Sequence, residues 1–503
     1  MSAYVIGVDG GTESLRAGVF DLAGNPLAFA SARYPTEFPR AAWAEQDPRD
    51  WWTALGRTVR EAVADSGVRP DQVKAIALDT TCCSVVALDD TGKALGPALI
   101  WMDLRSADQA AELVATGDPA LAVNSDGAGP VSAEWMIPKA LWLKRNEPDT
   151  FANATWICEY QDYLNYHLTG RMVGSINNCS VRWHYNARRG GAPTSLMAAA
   201  GIPELADKWP REIVGLGEVV GPLTDAAAEH LGLPPGTPVA QGGADAFIGM
   251  IGLGVVEPGR MAFITGSSHL HLGLSAGEFH GAGIWGTYPD AVIPGLHVVE
   301  GGQTSTGSAV AWYRNLLGEN VDYDALTAEA VDLPPGSDGL VVLDHFQGNR
   351  TPYTDPRSRG VISGLSLSHK RGHVFRAIIE GIAYGTELIL ETMRNGSYTV
   401  DDIRVAGGAT RSDLWLQIHA DVSNVPLSLT RVADAPALGS AILAAVGAGL
   451  YDDIRTASAE MVEVVRTIEP GAGRHAAYRP FYEAYKKTYP ALADILHAQA
   501  GAG

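Results

Sequence analysis

Apolar and polar positions along the chain alternate between two periods. At the start, "VIGVDGGTESLRAGVFDLAGNPLAFAS" (residues 5–31) gives short runs of small and branched apolar residues broken at Gly10-Gly11 and at Ala23-Gly24-Asn25. This pattern predicts a three-stranded meander with strands over 4–9, 15–21 and 26–33. The spacing then changes: "DWWTALGRTVREAVADSG" (50–67) carries apolar residues at helical intervals and ends in Gly. A buried type of strand follows at 73–81, "VKAIALDTT", and then a hairpin in "SVVALDDTGKAL" around an Asp-Thr-Gly turn. Helices are predicted in "SADQAAELVAT", "EWMIPKALWLKRNEPDTF" and "EYQDYLNYHLTG". Residues 171–235 are rich in turn formers and give no clear period.

Near residue 238 the pattern restarts. "VAQGGADAFIGMIGLG" reads as a Gly-rich turn into a helix, and "RMAFITGSSHLHLGLS" (260–275) as strand, small-residue turn, strand. A long helix is predicted over 373–394. "IRVAGGATRSDLWLQIHADVSN" (403–424) reads as strand, Gly-Gly turn, helix, and "APALGSAILAAVGAGL" (435–450) as a further helix. Strands followed by helices, twice over, predict two related α/β halves that meet near 240–260, with the ligand site at their seam.

A length of 503 residues agrees with at least two domains. The formal net charge of −20 argues against nucleic acid or an anionic membrane as the main partner. An anionic ligand must then be held by local backbone dipoles. No apolar run approaches the ~18 residues of a membrane span, and "MSAYVIGVDGG" lacks a basic leader region. The expectation is a cytoplasmic protein. Four cysteines (Cys82, Cys83, Cys158, Cys179) at these spacings form neither a disulfide framework nor a zinc site, and are expected to be reduced.

Three glycine-rich turns leave strands, at 9–14, 265–268 and 407–410. A plain hairpin needs a turn, for which Gly-Gly supplies φ > 0. It needs neither Asp9 before the glycines nor hydroxyls at Thr12 and Ser14 after them. Bare N–H groups, hydroxyls and a hard oxygen ligand are what phosphate and Mg²⁺ require. Two facing turns can clamp a polyphosphate, and the third, opening a helix at about Ser412, can meet a nucleotide. Phosphoryl transfer to an alcohol further needs one group to take the hydroxyl proton. Asp245 in "QGGADAF" fits, with Gly242-Gly243 expected to let an acceptor approach. Its structural alternative is an N-cap of the helix over 246–253. Asp9 has the alternative of a turn former. His269 and His271 are expected to put one ring toward the cleft, and Trp51-Trp52 and Trp312-Tyr313 to lie in the core.

These residues carry a resemblance. "GVISGLSLSHKRGHVFRAIIE" (360–380) fits the C-terminal signature of the FGGY family of carbohydrate kinases at Gly360, Ile362, Gly364-Leu365, His373-Val374 and Ala377-Ile378-Ile379-Glu380. Lys139, Trp142, Leu143 and Asn146 fit the N-terminal signature, from which Glu134 and Met136 depart. The chain resembles this family over about residues 4–485. The resemblance implies two RNase H-like domains of the actin/Hsp70/hexokinase superfamily: 1–243, sugar-binding with the first phosphate turn, and 244–503, nucleotide-binding with the base. It implies ATP as co-substrate, Mg²⁺ held through water by Asp9, and Asp245 as catalytic base. Nucleotide contacts are implied at Gly11, Thr12, Glu13, Ser14, Gly266, Ser267, Ser268, Gly307, Gly408, Ala409 and Asp413. Many relatives are dimers, so a homodimer is an open expectation.

Xylulose kinases of the family show Met-His-Gly-Gln, and glycerol kinases an Arg-Glu pair, where this chain has "DTTCCS" (79–84). "DTTCCSVVALD", "SAEWMIPKALW" and "VEGGQTSTGSAVAW" are instead similar to ribulokinases. That likeness implies Cys82 and Trp101 lining a sugar pocket, Glu300 bonding a sugar hydroxyl, and Arg182 near a basic sugar-contacting position. "WMDLR" (101–105) resembles other branches, so Asp103 and Arg105 either touch the sugar or form a strand-end salt bridge. The activity implied is phosphorylation of the terminal hydroxyl of a pentulose, ribulose first, with xylulose, a pentitol or a tetritol next. A nucleotide-dependent switch of the actin/Hsp70 kind shares the phosphate turns and is the alternative of another class.

Overall fold

The computed structural model describes residues 3–124, 131–281, 284–318 and 321–501. The opening meander forms as the pattern predicts: Tyr4–Gly10, Ser14–Asp21 and Pro26–Arg33 pair antiparallel. Val73–Thr80 and then Pro238–Ala240 add to it in parallel, and Val219–Pro222 closes the edge antiparallel. The second half repeats this plan. Gly259–Thr265, His269–Ser275, His297–Gln303 and Gly286–Pro289 are antiparallel neighbours. Val400–Gly407 and Leu427–Thr430 extend the sheet in parallel, with Val464–Ile468 antiparallel at the edge. Each lobe therefore sets a hairpin turn beside the carboxyl ends of parallel strands, where α/β sheets bind ligands.

The lobes meet through small residues. Helix Ala435–Gly447, from the second half of the sequence, lies on the first sheet, where a Cβ on Gly7 would stand 1.9 Å from the Ala437 carbonyl oxygen. The same helix crosses Asp245–Gly252 so closely that a Cβ on Gly252 would stand 1.9 Å from the Ala435 oxygen. One apolar cluster accordingly runs from Val5, Phe20 and Ala75 of the first sheet through Ile248, Ala437 and Ala441 to Leu272 and Val298 of the second.

Several expectations are corrected. The helix predicted over 134–151 is two, Met136–Asn146 and Pro148–Asn153. Pro148 pushes Glu147 out of the helical region, to φ −130° and ψ 60°. In the hairpin after residue 84 the second arm is reduced to one bridge, Leu88 to Ala94. His269 and His271 both turn inward, their rings 4.7 and 4.6 Å from that of Phe263. Residues two apart in a strand share a face. Trp51 is fully buried, whereas Trp312 is exposed. All four cysteines are free, and Cys82 is half-buried. Among the described residues no helix is long and apolar enough to cross a membrane.

Candidate active site

The first glycine turn uses closeness rather than left-handed backbone. Neither Gly10 nor Gly11 has positive φ, contrary to the expectation for a plain hairpin. A Cβ on Gly10 would press on Tyr160 Oη and Thr80 Cγ2, each at 3.1 Å. The turn is held from outside: Gln46 donates to the Thr12 carbonyl at 2.6 Å, Trp101 Nε1 to Thr12 Oγ1 at 2.8 Å, and Tyr34 Oη to the Gly11 carbonyl. Trp101 is thus tied to the turn of Gly11, Thr12, Glu13 and Ser14.

The second and third turns are built as one unit. Thr265 and Gly407 are register partners on parallel strands. Thr265 Oγ1 donates to the Ala406 carbonyl at 2.7 Å and accepts from Ala409 N–H at 3.2 Å. Gly407 does need positive φ (95°), and a Cβ there would meet the Thr265 oxygen at 1.9 Å. The Ser267 carbonyl accepts from the N–H groups of Thr306 and Ser308, which opens helix Gly307–Leu317 beside Gly266, Ser267 and Ser268. A Cβ on Gly307 would stand 2.3 Å from the Gly266 oxygen. After Gly408 a short 3₁₀ turn leads to helix Asp413–Ser423, capped by Ser412. Asp413 is exposed and pairs with Arg466 at 2.7 Å.

A cavity of ≈ 560 Å³ opens where the third turn faces the first lobe. Arg16 lines it from the first sheet, opposite Gly407, Gly408, Arg411 and Arg466, with Asp434 at its edge. Arg16 is ion-paired to Asp434, the N-cap of helix Ala435–Gly447. Two of the three guanidinium groups are already ion-paired, Arg16 with Asp434 and Arg466 with Asp413, so bare glycine backbone and Arg411 carry the attraction for an anion here.

Carboxylates gather beside it. Asp9 is in the strand rather than the turn, directly opposite Asp79 in the parallel register. Burial, with the carboxylates of Asp434 and Asp245, pushes Asp9 up to about 7, against the pull of Arg16. Asp79 is fully buried; Oδ2 accepts from Ser440 Oγ at 2.7 Å, and Oδ1 finds no partner among the described residues. Burial, and then the neighbouring Asp9 carboxyl, raises Asp79 well above the usual carboxylate range, so the pair holds protons as it stands, and a divalent cation beside Asp9 would have to displace them.

Asp245 is the first residue of its helix, and the N-cap is Ala244, so the capping alternative does not hold. Its Oδ1 accepts from Ala246 N–H at 2.7 Å. Burial pushes its carboxyl up to about 6, with that N–H and Arg182 pulling it down. Gly242 and Gly243 serve packing: Cβ atoms there would meet the Leu78 oxygen at 1.9 Å and Asn177 at 2.7 Å. Arg182 and Glu300 form a buried two-bond pair at 3.0 and 3.0 Å, and Tyr288 donates to Glu300 at 2.7 Å. Burial opposes both charges, yet Arg182 holds Glu300 below the usual carboxylate range. Asp103 and Arg105 take the salt-bridge alternative at 2.7 Å. Arg105 also bonds Glu45 and lies 3.6 Å over the Trp43 ring.

Residues 4–252 match the N-terminal domain of the FGGY family of carbohydrate kinases, and residues 261–448 match its C-terminal domain. The chain belongs to that family. It is an ATP-dependent carbohydrate kinase with the two-domain actin/hexokinase-like fold, and the switch alternative falls. A ribulokinase of Geobacillus thermodenitrificans is 32% identical over 537 residues, spanning 97% of this chain and 94% of that protein. A xylulose kinase of Bacillus subtilis is 27% identical over 98% of both. The crystal structure of xylulose kinase from Rhodospirillum rubrum superposes with a TM-score of 0.89 at 30% identity, covering 98% of this chain and all of the other. Sequence reasoning missed Arg16, Asp79, Asp434 and Tyr288. Asp79 alone left a signal, as a carboxylate ending a strand predicted to be buried.

Proposed function

We propose that this kinase transfers the γ-phosphoryl group of ATP to the terminal hydroxyl of a pentulose, ribulose before xylulose. The observation that carries the reading is Asp245: a half-buried carboxylate with its pKa near 6, at a helix start within the field of the Arg182–Glu300 pair. Its ionised form takes the hydroxyl proton as the O–P bond forms and the bond from Pγ to the β-phosphate oxygen breaks, releasing ADP. Arg182 lies behind the sugar position with the fully buried Glu300 as its partner rather than as a direct sugar contact, and Cys82 and Trp101 line the pocket. The glycine turns at 11–14, 266–268 and 408–409 hold the triphosphate and nucleoside. Asp9, with Asp79 behind it, would hold Mg²⁺, which supplies charge neutralisation on the phosphates.

Ribulose comes first because ribulokinases are among the relatives above 30% identity and the "DTTCCS" stretch is of their kind. The xylulose kinases that match at near full length keep xylulose as the second reading. A coupled ADP-release assay over D- and L-ribulose, D- and L-xylulose, ribitol, erythritol and glycerol tests this. The highest kcat/KM is expected on a ribulose enantiomer; a preference for xylulose, or for a polyol without a carbonyl, overturns it.

A further inference from the structure

The turn that carries Cys82 has an unusual backbone. Cys83 sits at φ 64°, in the left-handed region that residues with a Cβ seldom occupy. Such a conformation persists only where its surroundings over-determine it. Here both polar groups of that one residue are gripped by buried ions of opposite charge. Cys83 N–H donates to Glu159 Oε2 at 3.0 Å, and the Cys83 carbonyl accepts from Lys139 Nζ at 2.7 Å.

Neither ion is spent elsewhere in an ordinary salt bridge. The Lys139 ammonium, with no exposed surface, gives its other two hydrogens to the carbonyls of Leu99 (3.0 Å) and Ile100 (2.7 Å). Ile100 immediately precedes Trp101. One cation therefore fixes the two segments that end in Cys82-Cys83 and in Trp101. Glu159, equally buried, is itself held by Asn178 Nδ2 at 3.1 Å and by Trp183 Nε1. The far end of the turn is tied in turn to the phosphate site, Thr81 N–H donating to the Gly10 carbonyl at 2.9 Å. A lysine whose three donors all end on carbonyls, opposite a glutamate on the same residue's N–H, does more than fill a core. Core filling alone would be met by an apolar side chain without the desolvation of two charges.

We propose that Lys139 and Glu159 are positioning residues that hold the Cys82-Cys83 turn and the Trp101 segment in the form that receives the sugar. The proposal rests on the reading that this turn faces the sugar. The pair acts through the backbone it holds and touches no reacting atom.

The test uses the full-length enzyme and the variants Lys139→Met and Glu159→Gln, with two readouts. The first needs no sugar: the rate of Cys82 alkylation by iodoacetamide, followed by mass spectrometry. Release of the turn should raise it at least tenfold while the buried Cys158 and Cys179 stay unlabelled. The second is the kinetic split with D- and L-ribulose as probes: KM for ribulose raised at least tenfold, KM for ATP within twofold. Unchanged alkylation in folded variants overturns the clamp. Faster alkylation with ribulose and ATP constants moving together, or neither moving, overturns its role in sugar binding. Should Lys139→Met fail to fold, Glu159→Gln, which keeps the side-chain shape, decides by the same two measurements. A wild-type enzyme inactive on ribulose would sink the substrate reading alone, and the alkylation rate would still decide the clamp.

Discussion

Arg182 closes two hydrogen bonds of 3.0 Å on Glu300, a residue 118 positions away on the other lobe. The pair is buried, so its members depend on each other: an isolated buried charge costs far more than a paired one. Glu300→Gln leaves the Arg182 guanidinium uncompensated and should destabilise the protein by roughly 3–5 kcal/mol. Arg182→Met should do the same to Glu300, while the double variant recovers part of the loss. Urea unfolding of the two single variants and the double variant checks this, and additive losses would remove the pair from the stability argument.

Asp245→Asn removes the proton acceptor and keeps the size and hydrogen-bonding shape of the side chain. Sugar binding should persist by calorimetry, and kcat should fall by about 10²–10⁴. The pH dependence follows from the raised pKa. The base works ionised, so in the wild type kcat/KM should climb with pH through about 6 and level off above it. Arg182 pulls that pKa down, so in Arg182→Met the climb should move to higher pH. A flat profile between pH 5 and 8 would show that Asp245 does not limit the rate.

The period of the apolar residues was enough to read the meander, the long helix at 371–395 and the repeat of the plan near residue 238, since strands and helices of this kind bury one face each. It could not show that Ala435–Gly447 crosses to the other lobe, because that depends on Gly7 and Gly252 accepting a neighbour's backbone. Of the candidate site proposed above, Asp9 and Asp245 stand out in the sequence beside glycines. Asp79 and Ser440 do not: they lie 361 residues apart, and only the packing of helix Ala435–Gly447 on the first sheet brings them together. Gly242 and Gly243 were legible as necessary, yet for the wrong neighbour.

The seam should be intolerant of a single methyl group. Gly7→Ala would place Cβ within 1.9 Å of a helix carbonyl, which neither backbone can yield without moving the lobes apart. Ser440→Ala is milder: it strips Asp79 of the one hydroxyl it accepts from and should cost about 1–3 kcal/mol. Differential scanning calorimetry is the check. Gly7→Ala should lower the transition markedly or split it in two, whereas Ser440→Ala should shift a single transition by a few degrees. A wild-type thermogram for Gly7→Ala would mean the helix does not pack as described.

Three neutral histidines make the second lobe sensitive to acid. His269, His271 and His419 surround Phe263 and Trp415 in the core, and burial drives all three down, His271 and His419 to about 3. In the unfolded chain each takes up a proton below about pH 6.5, while in the native state it does not. Stability from these groups is therefore complete above pH 6.5. It is lost as pH falls from there toward 3, at up to ~1.4 kcal/mol per pH unit for each histidine. Buried carboxyls with raised pKa values, Asp9 and Glu159 near 7 among them, act in the opposite sense over part of this range, so the wild-type curve alone is ambiguous. The difference between wild type and His271→Phe isolates the histidine. Measured by urea midpoint at pH 7 and pH 5, the variant should lose less stability on acidification than the wild type. Equal losses would mean that His271 is already charged, or already solvated, in the folded protein.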